Sequence, residues 1–243
     1  MSIRSLSGLL ALSVLSAACS STSASVEVAP ELTAFEMATE QGEAYCMVIM
    51  RRCAGVENVD LNEFGEITQA HIDFNAEMTE EGMLLVSGPV VAPRAERDMR
   101  SICILDTADT SEAYARACTD PACETGMLRC EVVPFVCDDN LRAMPGMERG
   151  MRMERGTDRI QARPYVMVQM PSSAATAAVV ELMGNTALFS GCCTGGEYEG
   201  MTFVACDART VSEAKDMMGT IVDHPEDFVY HSWISTQALT QMN

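Results

Sequence analysis

The sequence predicts an α+β fold made of two tandem ferredoxin-like βαββαβ repeats. In the first half, apolar runs and helical periods follow one another as strand, helix, strand, strand, helix, strand. The second half repeats this order, and Ser212-Glu213-Ala214 repeats Ser111-Glu112-Ala113 at an offset of 101 residues. Hydrophobic residues make up 48% of the 243 residues, which is enough for a sizeable core.

The first repeat is predicted to span residues 44–137. Apolar runs predict four strands, at residues 44–51, 83–86, 100–106 and 128–136. The first helix should end at Glu81-Gly82, because glycine is the usual left-handed cap, and residues 55–64 before it are predicted to be a loop. The second helix should begin at Ser111, with Asp109 or Thr110 as its cap, and end before Pro121.

Residues 138–163 are predicted to form a linker, because they are rich in Met, Arg and Gly and lack a sustained apolar period. A second, degenerate ferredoxin-like repeat is predicted from residue 164 to residue 243. Its strands are predicted at 165–170, 188–191, 201–207 and 227–235, with helices at 174–183 and from 212. Ser173 stands near the place that His71 has in the first repeat, so the candidate site is not duplicated.

The N-terminal sequence predicts an export signal. Arg4 gives residues 1–18 a short basic start, an apolar run at 6–15 follows, and small residues precede Cys19. This pattern resembles a bacterial lipobox, in which the cysteine is lipidated and becomes the new N-terminus; the alternative is ordinary cleavage near Ala18. Residues 19–43 would then be a tether with a short helix at 32–41. Because Ser20 rather than Asp follows the cysteine, we expect an outer-membrane lipoprotein of the bacterial cell envelope, facing the periplasm, or alternatively a soluble periplasmic protein.

The chain is strongly acidic, which limits the partners that it can bind. The formal net charge is −19 and the pI is about 4.4, so the surface repels phosphate backbones and nucleic acid is not an expected partner. No CxxC or HxxxH spacing is present, and no metal site or cofactor is predicted.

Eleven cysteines in an exported chain favour at least one disulfide, although buried free thiols are the alternative. Opposed residues of an antiparallel strand pair have a constant sum of residue numbers. A sum of 183 would bring together the pairs Cys46–Cys137 and Cys53–Cys130. Cys118 and Cys123 flank a turn and could also pair.

His71 is the candidate functional residue. Ile67, His71, Phe74 and Met78 lie on one helical stripe, and His71 is the only ionisable group among them. An imidazole can take up and return a proton near neutral pH, and a carboxylate can fix its tautomer. That chemistry suits isomerisation or elimination on a small ring compound; the alternative is a histidine at the edge of the core, bonded to a backbone carbonyl.

Several short patterns in the first repeat occur together. They are His71 with Gly82 eleven positions later, Leu-Leu-Val-Ser-Gly-Pro at 84–89, Ser111-Glu-Ala, Asp120-Pro121, and a last strand ending near Pro134-Phe135. In this combination, residues 44–136 resemble the YCII-related family of small dimeric α+β barrel proteins.

The resemblance implies a barrel formed sheet to sheet, with a pocket between sheet and helix. The two repeats could form it within one chain as a pseudo-dimeric monomer, or the chain could form a homodimer. The resemblance implies that His71 is catalytic together with a nearby carboxylate, for which Asp120 and Glu80 are the candidates, and Ser87, Gly88 and Pro89 are the candidate ligand contacts. Ser87 could donate to a ligand or only satisfy its own strand. From the residues alone, Asp120 could instead cap the turn before Pro121. The basic residue that the family often has shortly before the histidine is absent, since Thr68, Gln69 and Ala70 stand there.

The sequence therefore favours an exported, lipid-anchored protein that binds a small molecule, with His71 as candidate general acid/base in an isomerase- or lyase-like reaction. The alternative is a binding or structural lipoprotein of the envelope without catalytic activity. A third class is a redox-active protein that uses its cysteines.

Overall fold

The computed structural model describes residues 42–56 and 59–242. The predicted signal peptide, the lipidation of Cys19 and the helix at 32–41 lie outside the described residues.

The first repeat has the predicted order of elements. These are β1 (Glu43–Arg52), α1 (Leu61–Glu80), β2 (Leu84–Pro89), β3 (Met99–Leu105), α2 (Thr110–Cys118), the single turn α3 (Pro121–Glu124) and β4 (Leu128–Cys137). Asp109 caps α2, since its side chain accepts from the Ser111 N–H. Gly82 follows α1 with a φ of 79°, as the predicted cap requires. The predicted loop is too long, because Asp60 caps α1 and the helix begins at Leu61.

The segment predicted as a linker contains ordered structure that packs into the core. A 3-10 turn (Leu141–Ala143) leads into helix α4 (Met144–Arg155). Leu141 and Met144 are fully buried, and Met147 and Met151 pack against the same core. These four apolar positions recur at helical spacing, which the many Gly and Arg residues between them obscure in the sequence.

The second repeat follows α4. Its elements are β5 (Ala162–Pro171), α5 (Ala174–Met183), β6 (Ala187–Cys193), β7 (Met201–Cys206), α6 (Val211–Met218) and β8 (Val229–Thr236). The tandem arrangement of ferredoxin-like repeats is therefore confirmed.

All eight strands form one antiparallel sheet in the order β2-β3-β1-β4-β6-β7-β5-β8. The repeats join in the middle, where β4 pairs with β6 from Phe135↔Cys193 to Cys137↔Gly191. The sheet curls until its two edge strands meet, which brings Val90 against Trp233 as an isolated bridge. One chain thus supplies both halves of a nearly closed α+β barrel.

Hydrogen bonds from side chains to the backbone close the seam between β2 and β8. Trp233 Nε1–H donates to the Gly88 carbonyl at 3.0 Å, and the Ser235 hydroxyl donates to the Ser87 carbonyl at 2.7 Å. Trp233 is fully buried and its ring contacts Tyr165 in the barrel interior, with centroids 6.2 Å apart. The helices cover the outer face of the sheet in separate clusters, one for each repeat.

The predicted disulfide register is wrong. Strands β1 and β4 pair with a sum of 180, so Cys46 lies opposite Pro134 and Cys130 lies opposite Met50. This register places Tyr45 against Phe135, both in the barrel core, and a shift by an odd number of residues would send one of them to the opposite face. Ten cysteines lie in the described residues, and all ten are free thiols.

No helix in the described part of the chain is both long and apolar enough to cross a membrane.

His231 on β8 makes the stability of the fold sensitive to acid. It is 0% exposed, its Nε2–H donates to Gln169 Oε1 at 3.2 Å, and its Nδ1 has no hydrogen-bond partner among the described residues. Burial lowers the pKa of His231, because the protonated form would lose its hydration. Below pH ~6.5 the unfolded chain therefore binds a proton that the folded chain does not. The free energy of unfolding then decreases by up to about 1.4 kcal/mol for each unit by which the pH is lowered.

We expect His231→Asn to flatten the loss of unfolding free energy between about pH 6.5 and pH 5, measured by urea unfolding at each pH. His224→Asn is the matched control, since His224 is exposed. An equal slope in wild type and His231→Asn would contradict a buried neutral His231.

Candidate functional site

His71 lies on α1, on the boundary between the sheet-facing side and solvent. Ile67 and Met78 on the same helix are buried, and Phe74 packs against the outer face of the sheet. The His71 side chain is 20% exposed, so a ligand can reach it. The predicted apolar stripe is confirmed as the side that α1 turns inward.

His71 and Asp120 form a hydrogen-bonded pair. Asp120 precedes α3, which packs against α1, and its Oδ2 lies 2.6 Å from His71 Nδ1. The Asp120 side chain is 0% exposed. Its other oxygen, Oδ1, accepts from the Ala122 N–H at 2.8 Å and caps α3. The two roles considered for Asp120, capping and pairing with His71, therefore fall on different oxygens of one carboxyl group.

The second ring nitrogen of His71 faces Asn75, one helical turn further along α1. Asn75 Nδ2 lies 3.1 Å from His71 Nε2. A buried carboxylate accepts from Nδ1–H, so neutral His71 presents Nε2 as an acceptor and Asn75 Nδ2–H₂ donates to it. Sequence reasoning missed Asn75, although its i+4 spacing from His71 indicates contact on a helix.

An apolar cleft opens next to Asn75, between α1, α2 and the sheet. Its open volume is about 10 Å³, which is room for about one water molecule. Its lining residues are Val48, Met50, Phe74, Asn75, Met78, Leu84, Cys103, Leu105 and Ala117. Asn75 is the only amide among them and connects the cleft to His71.

A positive charge borders the cleft, supplied by Arg116 of α2. Its guanidinium lies over the Phe74 ring, 5.4 Å from the centroid, and pairs with Glu81. The sequence lacks the basic residue expected shortly before His71, and the structure places a cation near this helix from a different element.

The structure does not bring Glu80 to the His71–Asp120 pair. Glu80 is exposed at the last position of α1, nine residues after His71. Nine residues correspond to about 13 Å along a helix and to roughly its opposite side.

Ser87, Gly88 and Pro89 lie in the seam that closes the barrel. The carbonyls of Ser87 and Gly88 accept hydrogen bonds from β8, and Gly88 also accepts from the Ser101 hydroxyl at 2.8 Å. Pro89 pairs with Ser101 on β3. Their contact with a ligand stays a prediction. In the structure, these residues help to hold the first repeat against the second.

Within residues 42–56 and 59–242, no group of three or more His, Cys, Asp or Glu side chains is arranged to hold a metal ion.

Fold and site together define a class: fused ferredoxin-like repeats that close an α+β barrel, with a histidine–aspartate pair on the outer helices of the first repeat. Residues 45–136 match the family model of the YCII-related domain, which confirms the resemblance for the first repeat. A search of curated proteins finds no significant match.

The chain is also similar to three kinds of solved structure. A mutant chlorite dismutase from Candidatus Nitrospira defluvii in complex with cyanide is 12% identical, with a TM-score of 0.49, and the match covers 87% of this chain and 98% of that one. A heme-binding protein from Thermus thermophilus is 14% identical, with a TM-score of 0.44 and coverage of 80% and 92%. The siroheme decarboxylase NirDL with an iron-uroporphyrin III analogue is 13% identical, with a TM-score of 0.40 and coverage of 79% and 71%.

Proposed function

We propose that the first repeat binds a small organic molecule beside α1, and that His71 acts on it as a general acid/base. One observation carries this proposal: a fully buried Asp120 carboxylate lies 2.6 Å from His71 Nδ1. A carboxylate in this position orients the imidazole and stabilises its protonated form, as general acid/base catalysis requires.

Proton transfer would take place at His71 Nε2. Asn75 must first turn away and release the Nε2 lone pair, and its amide can then donate to an oxygen of the substrate. Nε2 takes a proton from a C–H or O–H group, and Asp120 stabilises the resulting imidazolium. Return of the proton to another atom completes an isomerisation, whereas departure of a leaving group from the adjacent carbon completes an elimination.

The cleft indicates the class of substrate. Eight of its nine lining residues have side chains without a charge or an amide, and they come from α1, α2 and the sheet. Such a lining favours a small apolar or aromatic ring with a polar group directed at Asn75. The cleft holds only about one water molecule as it stands, so binding requires α1 and α2 to separate.

A second candidate is a binding protein without catalytic activity. The observation that favours it is that both ring nitrogens of His71 already have partners, Asp120 and Asn75. In that case the pair stabilises the contact between α1 and α3, and the ligand leaves the protein unchanged.

Native mass spectrometry of the purified protein, compared with its denatured mass, tests the proposal. We expect a small-molecule adduct on wild type and on the control His224→Gln, which changes an exposed histidine. His71→Gln should carry a chemically different adduct, the unreacted substrate, because it keeps the shape of the site and loses the base. The same adduct on wild type and His71→Gln would favour the binder. An adduct on none of the three proteins would contradict small-molecule binding at this site.

We also propose that the protein is exported and anchored in the outer membrane through a lipid on Cys19, facing the periplasm. We expect radiolabelled palmitate to be incorporated into wild type and into the control Cys53→Ala, and Cys19→Ala to lose both the label and the membrane association. Labelling of Cys19→Ala, or wild type found in the soluble fraction, would contradict the anchor and favour the soluble periplasmic alternative.

A further inference from the structure

Three cysteines lie on elements that contact one another, α2, α3 and β4, at a place that neither the acid/base site nor the seam uses. Cys118 ends α2, Cys123 lies in α3 and Cys130 lies in β4. The sulfur atoms of Cys118 and Cys130 are 3.4 Å apart. The Cys123 thiol donates to Met50 Sδ at 3.8 Å, and Met50 lies opposite Cys130 in the β1–β4 pair. The sequence suggested Cys118 with Cys123, whereas the structure brings Cys118 to Cys130.

The surroundings make Cys130 the acidic thiol of the three. Hydrogen bonds from Cys123 and Cys118 stabilise its thiolate and lower its pKa from the ordinary value of 9.0 to about 6, although burial acts in the opposite direction. The hydrogen bond to Cys130 raises the pKa of Cys123, and burial raises that of Cys118. At neutral pH the group therefore holds one thiolate and two thiols, as a nucleophile beside a resolving thiol requires.

Cys130 is also accessible. It lines an open groove of about 460 Å³, within the usual size range of small-molecule sites. The other lining residues are Thr110, Ser111, Tyr114, Glu131 and Val132. In contrast, Cys137, Cys193 and Cys206 are buried and burial raises their pKa values, so these thiols are protected.

We propose that Cys130 and Cys118 form a thiol–disulfide exchange site that reacts with low-molecular-weight disulfides through this groove. An S–S bond is about 2.05 Å long, so the sulfurs, now 3.4 Å apart, must approach by roughly 1.4 Å. Thiol–disulfide exchange at Cys130 does not require proton transfer at His71.

The exchange is balanced in two steps. The Cys130 thiolate attacks one sulfur of a disulfide RSSR, forms a mixed disulfide and releases RS⁻, which takes a proton from solvent. Cys118 then loses its proton to solvent and attacks Cys130 Sγ, and the second RS⁻ leaves and is protonated. The two protein thiols are oxidised by two electrons, RSSR is reduced to two RSH, and Cys123 remains as a thiol beside the new bond.

The test treats the fully reduced protein with oxidised glutathione, alkylates the remaining thiols and maps the tryptic peptides by mass spectrometry. Cleavage after arginine gives peptide 117–129, which holds Cys118 and Cys123, and peptide 130–142, which holds Cys130 and Cys137. We expect these peptides to be cross-linked, with fragmentation assigning the bond to Cys118 and Cys130. A bond within 117–129, or a bond to Cys137, would overturn the proposal.

Two variants separate the steps. The Cys118→Ser/Cys123→Ser double variant should accumulate the glutathione mixed disulfide on Cys130, because no neighbouring thiol is left to resolve it. Cys53→Ser is the control, since Cys53 lies outside the cluster and its loss should not change the cross-link. In wild type, alkylation of Cys130 should reach half of its maximal rate near pH 6. Alkylation of Cys130 no faster than that of Cys53 at about pH 7 would contradict the proposal even if a variant fails to fold.

Discussion

The Arg51→Met protein is expected to lose about 3 kcal/mol of unfolding free energy at neutral pH. Arg51 is the last but one residue of β1, is 4% exposed, and pairs with the carboxylates of Glu96 and Glu131 at 2.9 Å. It also pairs with Asp98 at 2.9 Å and donates to the Tyr198 hydroxyl at 2.6 Å. Removing one partner of a buried ionic cluster leaves like charges without compensation, which costs ~3–5 kcal/mol, and the partial exposure of the carboxylates places this case at the low end.

The Arg51→Met substitution should also weaken the contact between the two repeats, because Arg51 belongs to the first repeat and its partner Tyr198 to the second. Urea unfolding at neutral pH measures the loss, with Arg149→Met as the control at an exposed position of α4. Repeating the measurement at about pH 3 separates electrostatics from packing. Burial raises the pKa of Asp98, but the charge of Arg51 outweighs burial and leaves this pKa below its ordinary value of 3.8, so the stabilisation is lost as the pH falls through this range and the penalty should shrink. A penalty of equal size at both pH values would show that Arg51 contributes packing and not charge.

Gly88→Ala is expected to destabilise the fold by a comparable amount, about 3 kcal/mol, through the seam between β2 and β8. A Cβ atom at Gly88 would lie 1.9 Å from the backbone oxygen of Ile234 and 2.9 Å from Trp233 Nε1. A backbone atom cannot move aside as a flexible side chain can, so the strands must separate and the Trp233 hydrogen bond to Gly88 must weaken.

The matched control for Gly88→Ala is Gly150→Ala in α4. No atom lies within 4 Å of the Cβ position at Gly150, and the helix favours alanine by about 0.5–1 kcal/mol, so the control should stabilise the protein. Hydrogen exchange reports the seam directly, because the Val91 N–H donates to the Ser232 carbonyl at 2.9 Å. A Gly88→Ala protein with wild-type stability and wild-type protection of Val91 would contradict the close approach of the two strands.

Local sequence patterns predicted the helices and strands well, but they did not predict which residues pair between distant strands. The stripe of Ile67, Phe74 and Met78 and the Asp109 cap depend on neighbours within one or two turns, so the sequence determines them. The β1–β4 register depends on which side chains share the barrel interior, and the cysteine numbering pointed to a register that would have put Tyr45 opposite Asp138 instead of Phe135.

In the candidate site too, the sequence predicted local features and missed contacts that depend on the three-dimensional structure. His71 stood out as an ionisable group on an apolar stripe, and the resemblance added Asp120, but Asn75 reads as an ordinary polar helix residue until its distance to Nε2 is known. Glu80 looked plausible by its position before Gly82, yet helical geometry takes it away from His71. The approach of Cys130 to Cys118 joins a strand to a helix end, and no spacing in the sequence shows it.

The most direct test of the central claim is the tautomer of His71, read by long-range ¹H–¹⁵N correlation NMR at a pH where the imidazole is neutral. The His71–Asp120 pair predicts a proton on Nδ1 and a lone pair on Nε2 in wild type, and a shift toward the Nε2–H form in Asp120→Asn. Asp109→Asn, which alters the cap of α2, should keep the wild-type tautomer. A wild-type His71 with its proton on Nε2, unchanged in Asp120→Asn, would contradict the assignment of His71 as a base oriented by Asp120.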